Sequence, residues 1–264
     1  MTRWVHFLTK LHIRTKYSFV ASFVFIFYLF YITLTPRRRA GPSYTITTNI
    51  IEGRKYTLNV REKLPNNYNL TVVLLHGERL DSTVWEEIKT QEILYKKGYR
   101  SVAIDLPGHG FSRRYKPPKE EFEKAFILET LLKELKATDA VLVAPSMSGS
   151  YALPIIVRGS LKLKGFVPIS PYSVGNYLIA EYSSLKIPTM IIYGVADKIY
   201  GETSARTLQH IPDSKIHVIN DGSHACYLQN PDEFHEVLTN FLSEVELGTF
   251  DLTRKDNTLK LKSF

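Results

Sequence analysis

The chain has 264 residues, which is enough for one well-buried domain of about 200 residues and additional terminal segments. Its net charge of +8 is concentrated near the two ends. Residues 1–43 contain seven Lys or Arg and no acid, and residues 248–264 have a net charge of +2, so residues 44–247 have a net charge of −1. A nucleic-acid-binding protein needs a basic patch on its folded domain, so this distribution argues against that class.

The first predicted element is a transmembrane helix over residues 17–34. These 18 residues contain no charge and span about 27 Å as a helix, close to the thickness of a thin bilayer core. A basic segment (1–16) precedes them, and a Pro- and Gly-containing linker (35–43) with three consecutive arginines follows. These flanks disfavour the alternative of a buried core helix. A cleaved signal peptide is disfavoured too, because no small-residue cleavage site precedes the arginines.

The orientation of this segment is weakly specified. Four basic residues precede it and three follow it, which favours a cytoplasmic N-terminus and a type II single-pass signal-anchor protein of the secretory pathway. The triplet Asn69-Leu70-Thr71 would then make Asn69 a glycosylation candidate. The tight cluster Arg37, Arg38 and Arg39 opposes this orientation, so a domain facing the cytoplasm stays open.

Residues 44–247 form the predicted folded domain, and residues 248–264 a basic tail. Short apolar runs alternate with amphipathic stretches, which predicts a mostly parallel central sheet flanked by helices. Strands are expected at residues 44–51, 55–60, 71–75, 101–104, 140–144, 166–169, 189–193 and 216–219. Helices are expected at residues 85–97, 121–135, 146–158, 203–209 and 233–247, with Pro154 bending or shortening the third.

Three residues that follow predicted strands suggest a serine-hydrolase triad. Ser146, Asp197 and His224 occur in the chain order Ser, Asp, His of the α/β-hydrolase fold, so that fold is expected for this domain. Histidine would remove the proton of the serine hydroxyl, and the carboxylate would fix the histidine tautomer. Ser148 is the alternative nucleophile, but Ser146 is favoured because the apolar strand ends two residues before it.

The turn at Ser146 departs from the usual G-x-S-x-G pattern. Its flanking positions are Ala144 and Ser148, which are still small enough for the close approach of strand and helix. The N–H groups of Met147 and Glu78 are the expected oxyanion donors. Before Glu78, His76 is expected to shape the oxyanion loop rather than to react.

Other residues are expected to be structural. Asp105 and His109 are interpreted as loop-fixing residues, and Cys226, the single cysteine, as a buried small hydrophobe. The chain shows no phosphate-binding loop, dinucleotide motif or metal-ligand spacing, so neither a cofactor nor a metal is predicted. Only 19 residues separate residue 169 from residue 189, which leaves room for a loop or one helix but no lid domain.

Several motifs resemble one known family. VVLLHGERLDSTVW, GYRSVAIDLPGHG, the Pro-Ser-Met-Ser-Gly turn, GFVPISP and GSHACYLQNPDEFH are similar to the α/β-hydrolase domain-containing protein 14 group, most like its membrane-anchored A branch. The similarity runs from about residue 62 to residue 247. It implies a lidless hydrolase active on small esters, with its triad at Ser146, Asp197 and His224. For the soluble sister branch it also implies acyl transfer from protein lysine to coenzyme A.

The leading functional hypothesis is a membrane-anchored serine hydrolase that cleaves small acyl esters or amides through an acyl-serine intermediate. Its partners would be a small acyl substrate or an acylated protein and, through the N-terminal helix, a membrane. The first alternative is an acyltransferase that uses coenzyme A in place of water. The second is a non-enzymatic, membrane-anchored interaction module, against which the presence of all three triad residues argues.

Overall fold

An eight-stranded sheet forms the centre of the described part of the chain, residues 43–50 and 54–250 of a computed structural model. Its inner strands are rich in Val, Ile and Leu and buried at every position, as strands covered on both faces are. In chain order the strands are β1 (Ser43–Ile50), β2 (Arg54–Lys63), β3 (Thr71–Leu74), β4 (Arg100–Ile104), β5 (Val141–Pro145), β6 (Gly165–Ile169), β7 (Thr189–Gly194) and β8 (Ser214–Ile219).

The spatial order of the strands is β1-β2-β4-β3-β5-β6-β7-β8. Strands β4, β3, β5, β6, β7 and β8 pair in parallel, whereas β2 pairs antiparallel with both β1 and β4. This confirms the predicted mostly parallel sheet. The carboxyl ends of β3 to β8 therefore meet at one edge, where ligands bind in open α/β sheets.

The described helices agree with the predicted ones in most places, with one clear exception. The expected helix at residues 85–97 is two helices, because Lys89 between them adopts a left-handed conformation with φ of 64°. The prediction of one continuous helix was therefore wrong. The helices are α1 (Val84–Glu87), α2 (Thr90–Lys96), α3 (Glu121–Glu134), α4 (Gly149–Arg158), α5 (Ile179–Ser183), α6 (Gly201–Leu208), α7 (Cys226–Gln229) and α8 (Pro231–Leu247).

Helix α4 continues through Pro154 to Arg158, where Gly159 ends it in a left-handed conformation. Every α4 residue before Val157 is buried, so packing outweighs the backbone hydrogen bond that proline cannot donate. Between β6 and β7 the chain forms only a 3₁₀ turn (Val174–Asn176) and the short helix α5. The prediction that no lid domain lies there is confirmed.

The structure does not describe residues 1–42, 51–53 or 251–264. The predicted basic segment (1–16), transmembrane helix (17–34) and nearly all of the linker (35–43) fall outside the described residues, as does most of the predicted tail (248–264). Among the helices that are described, none is long and apolar enough to span a bilayer.

Candidate active site

Ser146 lies at a sharp turn directly after β5. Its φ of 51° is unusual for a residue with a side chain, and a 3₁₀ turn (Ser146–Ser148) leads from it into α4. A strained strand-to-helix turn of this kind exposes the serine hydroxyl above the edge of the sheet. The sequence prediction therefore placed Ser146 at the correct strand end.

Small residues are needed where α4 passes the neighbouring loop. A Cβ atom on Gly149 would lie 2.7 Å from the Cβ of Pro171 and 2.7 Å from the carbonyl oxygen of Tyr172. The other candidate nucleophile, Ser148, is fully buried, and its hydroxyl donates to the Pro145 carbonyl at 2.8 Å. The Ser148 hydroxyl therefore stabilises the turn and is not presented at the site.

The three predicted triad side chains lie together. The distance from Ser146 Oγ to His224 Nε2 is 2.8 Å, and that from His224 Nδ1 to Asp197 Oδ2 is 2.7 Å. Because a carboxylate accepts, the imidazole donates Nδ1–H to Asp197 and accepts the hydroxyl proton of Ser146 at Nε2. This arrangement can transfer a proton from serine to histidine.

Asp197 is buried but held in its ionised form. Burial alone would raise the pKa of its carboxyl group, yet the contact with His224, with smaller contributions from Ser170 and from the Gly201 N–H, outweighs burial and brings the pKa below its ordinary value. The Ser170 hydroxyl also favours the ionised form, although it lies outside ordinary hydrogen-bond geometry. The Tyr200 N–H donates to the other carboxylate oxygen at 3.2 Å.

Two glycines bring the Asp197 and His224 loops together. A Cβ atom on Gly194 would lie 2.4 Å from the carbonyl carbon of Gly222, so neither loop has room for a side chain there. The Ala196 N–H donates to the Gly222 carbonyl at 2.9 Å. The backbones of the two loops are thus in direct contact, in addition to the contact between the side chains of Asp197 and His224.

Two tyrosines that sequence reasoning missed surround the His224 ring. Tyr172 stacks on it with ring centroids 5.7 Å apart, and Tyr200 contacts it edge-on at 5.4 Å. Tyr172 follows β6, and Tyr200 lies three residues after Asp197. The rule that chemistry follows strand ends would have marked the Ser170-Pro171-Tyr172 turn, of which the sequence interpretation used only Ser170 and Pro171, as part of a family motif.

The predicted oxyanion loop lies beside Ser146. His76 is fully buried, and burial lowers its pKa to about 4, so the ring is neutral. Its Nδ1–H donates to the Gly77 carbonyl at 2.8 Å, and its Nε2 accepts from the Leu106 N–H at 3.1 Å. His76 is therefore structural, as expected. A Cβ atom on Gly77 would lie 3.9 Å from that of Ser146.

The N–H groups of Met147 and Glu78 stay predicted oxyanion donors, since no contact in the structure tests that role. Asp105 accepts from the Ser82 N–H at 2.7 Å, from Asn59 Nδ2 at 3.0 Å and from the Phe111 N–H at 2.9 Å. The Asp105 carboxylate therefore fixes its loops, as the sequence interpretation expected.

Cys226 is buried two residues after His224, and burial raises the pKa of its thiol to about 12. A thiol with so high a pKa is a poor nucleophile near neutral pH, which agrees with its interpretation as a structural residue. Asn69, the glycosylation candidate, is exposed, and its amide donates to Glu246 Oε1 at 3.0 Å.

Comparison with known proteins defines the class of this fold. A family profile described as "alpha/beta hydrolase fold" matches residues 71–153. An esterase from Thermogutta terrifontis superposes with a TM-score of 0.63 at 18% identity, covering 78% of this chain and 100% of the esterase. An esterase from Exiguobacterium antarcticum gives 0.61 at 15% identity, covering 76% and 100%. The protein therefore has the α/β-hydrolase fold.

Sequence relatives identify the family within that class. Human "Protein ABHD14A" is 42% identical over 206 residues, which are 77% of this chain and 76% of the human protein. The rat protein named "Putative protein-lysine deacylase ABHD14B" is 36% identical, covering 76% of this chain and 97% of the rat protein. The chain belongs to the ABHD14 family of α/β-fold hydrolases, which confirms the resemblance seen in its motifs.

Proposed function

We propose that this protein is a serine hydrolase that cleaves acyl esters or amides through an acyl-serine intermediate. The observation that carries the proposal is the continuous pair of hydrogen bonds from Ser146 through His224 to Asp197, at 2.8 and 2.7 Å. A serine bonded to a histidine whose other nitrogen is bonded to a buried carboxylate is the arrangement that activates a hydroxyl nucleophile.

In the first step, Ser146 Oγ attacks the substrate carbonyl carbon while its proton passes to His224 Nε2. The N–H groups of Met147 and Glu78 stabilise the resulting oxyanion. His224 then gives the proton to the departing alcohol or amine, and the acyl group stays on Ser146. Water then attacks the acyl carbon while it gives a proton to His224. The bond from the acyl carbon to Ser146 Oγ breaks, His224 returns the proton to Oγ, and the acid is released. Asp197 stabilises the imidazolium through both halves of the cycle.

The substrate class follows from the open face of the site. The segment between β6 and β7 contains only a 3₁₀ turn and the five-residue helix α5, and the His224 side chain keeps 29% of its surface exposed. Such a site admits a small acyl group, or an acyl group carried on a larger molecule. The name of the rat relative points to acylated lysine, an amide, as one form of such a substrate.

An acyltransferase is the second candidate. The lysine deacylase named among the relatives removes an acyl group, and either water or a thiol such as coenzyme A is able to accept it from serine. Both reactions use the same triad, so product analysis separates them. With coenzyme A present, hydrolysis yields free acid at an unchanged rate, whereas transfer yields acyl-coenzyme A.

We propose that residues 17–34 anchor the protein in a membrane as a type II single-pass segment. The support is the uncharged run of 18 residues with basic flanks. With the N-terminus in the cytosol, the hydrolase domain would be luminal, and Asn69 would be available for glycosylation. The opposite orientation would place the site among cytosolic acyl groups and coenzyme A, and would favour acyl transfer.

The test is hydrolysis of p-nitrophenyl acetate by the full-length protein. We expect turnover that is lost in Ser146→Ala and kept in Ser148→Ala, because the Ser148 hydroxyl is committed to the Pro145 carbonyl. Loss in Ser148→Ala with activity kept in Ser146→Ala would overturn the nucleophile assignment. No turnover by the folded protein, with this ester or acylated lysine peptides, would favour a non-enzymatic interaction module.

A further inference from the structure

The turn that follows β6 contacts all three members of the proposed triad. Ser170 begins this turn, fully buried and in a left-handed conformation with φ of 44°. Its hydroxyl has no hydrogen-bond partner of ordinary geometry within residues 43–50 and 54–250. A residue with a side chain is strained in the left-handed conformation, and a buried hydroxyl without a partner costs free energy. A glycine at this position would avoid both costs, so the backbone conformation of the turn does not by itself explain the serine.

The Ser170 hydroxyl and the Asp197 carboxylate border the same small space. A Cβ atom on Gly201 would lie 2.9 Å from Ser170 Oγ and 2.9 Å from Asp197 Oδ2, the oxygen that accepts from His224. The Ser170 hydroxyl also lowers the pKa of the Asp197 carboxyl group, as a donor directed at the carboxylate does.

Tyr172, two residues later, contacts the other two members. Its N–H donates to the Ser146 carbonyl at 2.9 Å, which holds the strained backbone of the nucleophile turn. Its ring stacks on His224 with an interplanar angle of 25°. An aromatic face beside an imidazole becomes more favourable when the imidazole gains charge, as it does during catalysis.

We propose that Ser170 and Tyr172 are positioning residues: the Ser170 hydroxyl orients the Asp197 carboxylate, and Tyr172 fixes the Ser146 backbone and the His224 ring. This inference rests on the proposed hydrolase function. One short turn between β6 and β7, the place of the lid in hydrolases that have one, would thus align the nucleophile, the base and the acid.

The Ser170 hydroxyl is tested with two variants and one matched control. Ser170→Ala removes the hydroxyl, and Ser170→Gly removes it while also relieving the left-handed strain, so the glycine variant should fold. The control is Ser204→Ala, because Ser204 is also buried near the site but donates to the Gly201 carbonyl at 3.0 Å. Rates and pH profiles of ester hydrolysis are measured on full-length protein.

In both Ser170 variants we expect kcat to fall about tenfold with KM unchanged, the effect of losing one hydrogen bond to a charged group. The acid limb of the kcat/KM profile should move to higher pH, because a carboxylate with fewer donors attracts the proton on the base more strongly. Ser204→Ala should change neither quantity. Unchanged kcat and an unchanged profile in Ser170→Gly would overturn the role of the hydroxyl.

The Tyr172 ring is tested by comparing Tyr172→Phe with Tyr172→Ala, since both keep the backbone N–H. We expect the phenylalanine variant to react with a fluorophosphonate within about twofold of the unaltered protein, the range of a neutral substitution. The alanine variant should react about tenfold more slowly, the loss expected when a charged ring loses an aromatic contact. Equal rates in the two variants would exclude a role for the ring.

One readout does not depend on turnover. The His224 Nδ1 proton, shared with Asp197, should give a low-field proton NMR resonance in the full-length protein. We expect Ser170→Ala to shift it and Ser204→Ala to leave it in place. If the unaltered protein hydrolyses nothing, the proposed function fails, but this resonance still decides the positioning inference, which an unshifted signal in Ser170→Ala would contradict.

Discussion

Asp197 combines burial with ionisation. Its carboxylate accepts from His224 and from the Tyr200 N–H. Burial raises the pKa of the carboxyl group, but the contact with His224, together with Ser170 and Gly201, brings it below its ordinary value. The negative charge is therefore present at neutral pH, where it can hold the Nδ1–H tautomer of His224 and, in the proposed mechanism, stabilise the imidazolium.

Replacing Asp197 with asparagine should lower kcat by about four orders of magnitude, as loss of tautomer control does in chymotrypsin. The amide leaves the shape of the site nearly unchanged but cannot hold the same imidazole tautomer. Asp213→Asn is the control. The backbone carbonyl of Asp213 accepts from the N–H of Thr189 in β7, and its side chain lies outside the site. Comparable losses in the two variants, measured with a small ester, would mean that Asp197 is not the orienting acid.

The residues that could be predicted from sequence are those marked by a strand end. Ser146, Asp197 and His224 each follow an apolar run, so the edge of a parallel sheet brings them together. Ser170 and Tyr172 also follow such a run, but their contacts depend on how three loops meet. The close approach of these loops depends on four glycines: Gly149, Gly194, Gly201 and Gly222. Their importance can be recognised only when the positions of the loops are known.

At the scale of elements, the junction between α4 and the turn after β6 is a close contact that constrains the site. Gly149 lies under Pro171 and Tyr172, so the start of the helix and the turn fix each other. The same turn also contacts Ser146, because the Tyr172 N–H donates to the Ser146 carbonyl at 2.9 Å.

Gly149→Ala should lower the free energy of unfolding by about 1–3 kcal/mol, the usual cost of overpacking, and should slow hydrolysis by displacing the turn. The matched control is Gly175→Ala, because nothing lies within 4 Å of a Cβ atom there and its φ is not in the left-handed range. Its stability should stay within about 0.5 kcal/mol of the unaltered protein. Urea unfolding of both variants measures the difference, and an equal change in the two would contradict the tight junction.

Element boundaries were less predictable than element types. The helix at residues 85–97 reads as one periodic stretch, with no glycine or proline to mark the break at Lys89. In the structure Thr90 begins the second helix and bonds His235 of α8 through its hydroxyl at 2.9 Å. That contact joins residues far apart in sequence, so local periodicity carries no sign of it.

At the scale of the whole molecule, the charge and the hydrolase fold occupy different parts of the chain. The fold lies within residues whose net charge is close to zero, and the net positive charge of the chain lies at its two ends. We therefore expect a chain that begins at residue 42 to fold and to show the same ester hydrolysis that is proposed for the full-length protein. An inactive, aggregated product would show that the N-terminal residues contribute to the fold.

The proposed anchor and its orientation are tested in sealed microsomes. We expect the full-length protein to resist extraction by alkaline carbonate and its hydrolase domain to resist protease until detergent is added. A mobility shift on endoglycosidase treatment, abolished in Asn69→Gln, would give independent support. Carbonate extraction would refute the anchor, and digestion without detergent would reverse the orientation.

The most direct test of the central claim is the site of covalent labelling by a fluorophosphonate probe, which reacts only with an activated serine. Peptide mapping of the labelled full-length protein should place the adduct on Ser146, with labelling lost in Ser146→Ala and strongly slowed when His224 is replaced. An adduct on Ser148, or no adduct on the folded protein, would contradict the assignment of Ser146 as the activated nucleophile.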